Sequence, residues 1–179
     1  TVGENPTELA TATCTVKAVE TLTAPYASIT TTGESATTVN YASIPDAMRF
    51  VEEGQTINLS TGEFVLSTPL EITKAITLQG SRDSRKNIAS VLRPVKTEGD
   101  FIADASKHVN LVTISGGTAD KTVNLNDLMI VFSYGSGLNV QTAMNTVING
   151  MKIESCRNAG MLVHSRVEAT YLETQNNGW

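Results

Sequence analysis

The chain has 179 residues, with 13 Lys and Arg against 18 Asp and Glu, and 40% of its residues are hydrophobic. That length suits one substantial core, alone or beside a small N-terminal module, and its apolar runs fall short of the roughly 18 residues that a membrane span needs. The net charge of -5 is scattered without cationic blocks, which argues against the phosphate-neutralising stripe of a nucleic-acid binder.

Residues 1–40 are rich in Thr, Ala and Ser. Turns are expected at Thr30 to Gly33 and at Thr37-Thr38, between β-prone pieces such as Thr15 to Val19. The expectation is an extended arm or small β-module, with a partly ordered linker as the alternative. The opening Thr1 to Pro6 carries no initiator Met, charged n-region or apolar leader, which suits a mature secreted or cell-surface protein. Cys14 and Cys156, the two cysteines, have no CxxC or His partner at metal-ligand spacing, so no metal site and no cofactor is expected. A disulfide between them would need the N-terminus to fold back on the later strands, and two separate buried thiols is the simpler reading.

Residues 41–54 have helix punctuation at both ends. Ser43 can cap, Pro45 fits the first turn, Asp46 suits the positive end of the dipole and Gly54 can terminate. Ile44, Ala47, Met48 and Val51 fall at i, i+3, i+4 and i+7, a stripe that must lie on something apolar. Ile57 and Leu59, Leu70 and Ile72, and Ile76 and Leu78 then alternate with polar residues, so three short strands each turn one row inward. The succession of a short amphipathic helix, "GQTINLSTGEF" and "LEITKAITLQGS" resembles the start of pectin-lyase-like right-handed parallel β-helices. The resemblance implies that residues 41–179 are all-β, a capping helix followed by the first coils, with the cap shielding apolar side chains and unpaired strand groups.

A repeat supports this reading. Leu125 to Ile130 lies over Ile148 to Ile153 at an offset of about 23 residues, with Gly137 on Gly160, Leu138 on Met161 and Val140 on Val163. A third unit is expected from Val167 to Leu172 over Ile148 to Ile153, with Gly178 on Gly160 and Trp179 on Met161. Three short β segments in a period in the low twenties match one turn of a stacked coil. Asn126 and Asn149 are expected at a tight corner, stacked as a ladder and tolerant of a left-handed backbone, with Glu168 replacing them in the third unit.

The same repeat sorts side chains. Leu138, Val140, Met161 and Val163 point in, while Asn139, Gln141, Leu162 and His164 point out. Lyases of the family that is resembled use calcium-holding carboxylates with a proton-abstracting base, and hydrolases use clustered Asp residues; neither set is visible here. Lys152 and Glu154, with Tyr171 and Glu173 expected one coil above and Met129 and Val131 one coil below, form a mixed patch able to contact sugar, although a solvated face with cross-strand ion pairs explains it more simply. Arg157, His164 and Arg166 cluster in sequence and can meet an acidic polymer, with ordinary turn residues the favoured reading. His108 reads as the end of a loop. The excursion from Ser81 to Asn87 can wall a binding site, with a solvated loop the plainer choice. Asn58-Leu59-Ser60 matches a glycosylation sequon on an expected strand, a weak signal.

The last coil is expected to be incomplete, because Trp179 falls where an inward strand should begin. An open coil is a sticky edge that further chain, a partner or self-association would cover. The functional expectation is a secreted or cell-surface protein with a carbohydrate-binding or structural role and a polysaccharide partner. The alternatives are a polysaccharide lyase or glycoside hydrolase whose site lies on missing or unread coils, and an adhesin or appendage part that self-associates.

Overall fold

The alternating apolar residues are all buried. Ile57, Leu59, Leu70, Ile72, Ile76 and Leu78 are each at most 4% exposed in the computed structural model, which describes residues 22–31, 36–95 and 109–178. The fold is all-β, with 51% strand against 5% helix.

A short N-terminal hairpin, β1 (Ala27–Thr30) and β2 (Thr38–Tyr41), is antiparallel. β1 also pairs antiparallel with β3 (Thr56–Leu59), and its Ala27 and Ile29 enter the core. The expected boundary between residues 40 and 41 therefore falls inside a strand of the main sheet. Thr15 to Val19 and Cys14 lie outside the described residues.

Helix α1 (Ile44–Phe50) starts as its sequence requires, with the Ser43 hydroxyl accepting from the Asp46 amide at 3.2 Å and Pro45 in the first turn. Ile44, Ala47 and Val51 are buried and Met48 packs beside them. The helix stops at Phe50, before the expected Gly54, which instead takes a left-handed φ of 81° in the turn beyond.

Among the described residues, the strands after α1 pair with one another in parallel. β3, β6 (Thr77–Gln79), β9 (Thr122–Val131), β11 (Asn145–Glu154) and β13 (Val167–Gln175) are neighbours in that order. β4 (Gly62–Leu66) pairs with β7 (Ser90–Pro94), which pairs with the far half of β9. A second sheet runs β5 (Leu70–Ile72), β8 (Val112–Gly116), β10 (Leu138–Thr142) and β12 (Met161–Val163). The two sheets enclose a single cluster of buried side chains.

The expected register holds between the first two units. Asn126 pairs with Asn149, Ile130 with Ile153 and Leu138 with Met161. Gly137 also meets Gly160: a Cβ added at Gly137 would come within 2.8 Å of the Gly160 carbonyl and 2.5 Å of Ile153 Cγ2, so only glycine lets the two turns stack this closely.

The third unit departs from expectation. Ile148 pairs with Ala169 rather than Val167, and Thr170, not Glu168, lies against Asn149. The stretch from Val163 to Val167 is two residues shorter than the matching stretch from Val140 to Thr146. This shortening slips the register by two residues. Gly178 consequently falls short of Gly160 and donates to the Cys156 carbonyl at 3.1 Å; Trp179 lies outside the described residues.

The corner is also one residue later than expected. Asp127, Gly150 and Tyr171 take left-handed φ values of 54°, 75° and 55°, while Asn126 and Asn149 remain in the strand ladder. A second left-handed position follows five residues on in each unit, at Phe132, Ser155 and Asn176.

Candidate carbohydrate-binding face

The site begins at this stacked corner. Gly150 has no side chain, and a Cβ there would stand 2.5 Å from Asp127 Oδ1 and 2.7 Å from Arg82 Nη2. The space it leaves is filled by the ion pair of Arg82 and Asp127, closed at 2.6 Å from Nη2 and 2.8 Å from Nε. Arg82 Nη1 also donates to the Lys86 carbonyl at 2.8 Å, which clips the 81–87 excursion onto the corner. Within the excursion, Asp83 accepts from the Asn87 and Arg85 amides, each at 2.8 Å, and from Asn87 Nδ2 at 3.1 Å. The bonds from the Asn87 backbone and side chain hold its carboxyl below the ordinary range.

Between the excursion and the outer face of the sheet lies a cleft of about 490 Å³, lined by Arg82, Lys86, Ile88, Met129, Lys152 and Tyr171 among others. Met129, Lys152 and Glu173 form one outward column, since Met129 pairs with Lys152 and Lys152 with Glu173. Tyr171 stands at the cleft with 81% of its surface exposed. Lys152 Nζ is 3.0 Å from Glu154 Oε2, and this contact raises the lysine pKa. The Glu154 carboxyl is lowered first by the hydrogen bond from Gln175 and then by Lys152.

Of the five residues that the sequence singles out, Lys152 and Tyr171 line this cleft and Glu154 supports it through Lys152. Arg157 and His164 do not join them. Arg157 lies in the turn between β11 and β12, its amide bonded to Ser133, and His164 is exposed beyond β12, its amide bonded to Val140. Arg166 is paired with Glu168. Glu173 is above Lys152 rather than above Glu154, which instead meets Gln175, a consequence of the two-residue slip. His108 lies outside the described residues. Arg82 and Lys86 belong to an excursion that the sequence reads more simply as a solvated loop, and nothing in the sequence says that it meets a corner 45 residues later.

The near half of the same face is different in character. Polar residues form a column in which Asn40 pairs with Ser28, itself buried, Ser28 with Asn58 and Asn58 with Gln79, continuing through Asn126 and Asn149 to Thr170. Thr56, Thr77, Asn124 and Val147 form a parallel column that ends on Glu168.

Among the described residues no group of three or more His, Cys, Asp or Glu side chains could hold a metal ion, and no helix is long and apolar enough to cross a membrane. Cys156 is a free, buried thiol. A further cavity of about 440 Å³ lies between Leu66 to Pro69 and Val109 to Leu111, and none of the described residues that line it is charged.

Comparison with protein-family models, with curated proteins and with solved structures finds no match to this chain.

Proposed function

We propose that this chain is part of a right-handed parallel β-helix of the pectin-lyase-like kind, secreted or displayed on a cell surface, that binds carbohydrate without turning it over. The parallel registers repeated between successive units support the architecture. Its hand follows from the strong preference of parallel crossovers for right-handed connection.

One observation carries the binding role. Tyr171 is a bulky aromatic residue in the left-handed region, where its ring gains no burial. A large residue kept at such a φ costs free energy that the fold does not recover from packing. An exposed aromatic face beside hydrogen-bonding side chains is what a sugar ring needs, with its apolar C–H face on the aromatic ring and its hydroxyls on Lys152, Lys86 and Glu173.

Isothermal titration against a panel of soluble oligosaccharides tests this role. The wild type should bind at least one of them, and Tyr171→Ala should weaken that binding about tenfold or more. Unsaturated or reducing-end products appearing on the same panel, with or without calcium, would replace it with the lyase or hydrolase reading. A second reading, self-association, draws on β12 and β13, which end both sheets and leave Leu162 37% and Val163 47% exposed. Concentration-dependent sedimentation would favour it.

A further inference from the structure

The carbohydrate reading concerns a cleft; the columns beside it say more about which carbohydrate. Beyond the buried Ser28, the column from Asn58 to Thr170 crosses every strand of the sheet path from β3 to β13, one residue per strand, without a charged side chain. The chain carries 13 basic and 18 acidic residues, so an uncharged run through five successive strands is a specific property of this face. Its neighbour is uncharged from Thr56 to Val147.

The side chains are also held in place. Asn126 Nδ2 donates to Gln79 Oε1 at 3.0 Å, Asn124 Nδ2 to Thr77 Oγ1 at 3.3 Å, and Gln79 Nε2 to the Gly80 carbonyl at 2.8 Å. At the hairpin end the hydroxyls of Thr30 and Thr38 are 2.9 Å apart. Each amide has more donor and acceptor capacity than these bonds use, so the middle of the array, around Gln79, Asn124 and Asn126, presents preorganised donors and acceptors. Little side-chain entropy remains to be lost on binding.

Such an array matches a ligand whose groups both donate and accept and which carries no charge: hydroxyls. A charged polymer would lose hydration here without meeting a counter-charge. Strand spacing sets the repeat along a column at about 4.8 Å, so two strands span about 9.6 Å. That is close to one disaccharide of a straight, equatorially linked chain, whereas a helically coiled polysaccharide cannot hold the register. The column also leads into the cleft, since each corner residue directly follows a column member: Asp127 after Asn126, Gly150 after Asn149 and Tyr171 after Thr170.

We infer that the near half of this face is a track for an extended, neutral, equatorially linked polysaccharide, lying along the column across the strands and ending against Tyr171. The inference rests on the carbohydrate-binding reading above and adds the polymer class and its direction.

The test is retention of the full chain on insoluble cellulose and chitin as straight neutral probes, with starch granules as the coiled neutral control and soluble polygalacturonate as the charged one. The wild type should be retained on cellulose or chitin, and about 1 M NaCl, which screens charge beyond roughly 3 Å, should not release it. Asn58→Lys with Asn149→Lys should reduce retention about tenfold or more, with an unchanged circular dichroism spectrum and melting midpoint. Asn58→Ala with Asn149→Ala, which adds no bulk, should give a smaller loss in the same direction and serves if the lysine pair does not fold. Retention on cellulose or chitin unaffected by both pairs overturns the track. So does binding confined to starch or polygalacturonate, or oligosaccharide binding at the cleft that is lost in Tyr171→Ala but indifferent to the column; these outcomes leave the carbohydrate reading standing. Failure of the wild type to bind any probe sinks both.

Discussion

Arg82 closes on Asp127 across 45 residues of chain, placing two guanidinium nitrogens on the same carboxylate oxygen, Oδ1, while Gln79 Nε2 reaches the other oxygen at 3.3 Å. A loop that sequence alone reads as solvated is thereby fastened to the corner within β9. Asp127→Ala should release residues 81–87 while leaving the strands intact. For a partly exposed pair the expected loss is about 0.5–1 kcal/mol. Hydrogen exchange should quicken in the excursion and remain slow at Ile130 and Ile153.

Gly150 and Tyr171 occupy equivalent corners with left-handed φ, yet substitution should move stability in opposite directions. Gly150→Ala adds a Cβ where Asp127 and Arg82 already sit, and should cost at least about 1 kcal/mol. Tyr171→Gly relieves backbone strain at an exposed position and should raise the melting midpoint, with a stability gain of no more than about 1 kcal/mol once the added chain entropy is counted. If Tyr171→Gly instead destabilised the protein, the tyrosine would be there for packing and the functional argument would lose its basis.

The Lys152 and Glu154 pair sets a stability window. Glu154 titrates below its ordinary 4.5 in the folded chain, so its contribution is complete above that value and is lost as pH falls through the depressed folded pKa. Lys152 titrates above its ordinary 10.5, so its contribution is complete below that value and is lost as pH rises through the raised pKa. Chemical denaturation of the wild type and Glu154→Gln at several pH values should therefore differ by about 0.2–1 kcal/mol near neutrality. The two curves should converge in acid.

Inward residues in the middle of the stack should matter far more than those on the last strands. Ile153 is fully buried between Ile130 and Thr174, so Ile153→Ala should cost about 2–5 kcal/mol. Val163 keeps the inward parity of Val140 but is 47% exposed on a terminal strand. Val163→Ala should cost about 0.5 kcal/mol or less, as urea midpoints would show.

Burial pushes the Cys156 thiol up to about 11. In a Cys14→Ser background, iodoacetamide near pH 8 should leave Cys156 unmodified in the folded chain and alkylate it quickly in denaturant. Fast labelling of the native protein would show that this part of the core opens readily.

Much of the fold was legible because inward side chains obey simple parity. Ile57, Leu78, Leu125 and Ile148 alternate with polar residues and are all buried, and the offset that pairs Asn126 with Asn149 was visible as a repeat. The third unit was misplaced for the same reason. An offset short by two residues preserves which side chains face inward, so Val167 and Ala169 are equally acceptable partners for Ile148 until the turn after β12 is built. The corner escaped similarly: an amide tolerates a left-handed φ, yet the position that needs it is filled by Asp127, Gly150 and Tyr171, three residues with nothing in common in sequence.

The sequence by itself determined the inward rows of Ile57 and Leu59, Leu70 and Ile72, and Ile76 and Leu78, and how the first two units align, because these follow from local alternation and from a repeat. Tertiary structure alone decided that Arg82 and Lys86 share a cleft with Lys152 and Tyr171, and that Asn58 and Gln79 continue the column of Asn126. Those relationships depend on how many residues each turn spends between sheets, a quantity set by packing of the whole stack and absent from any local pattern.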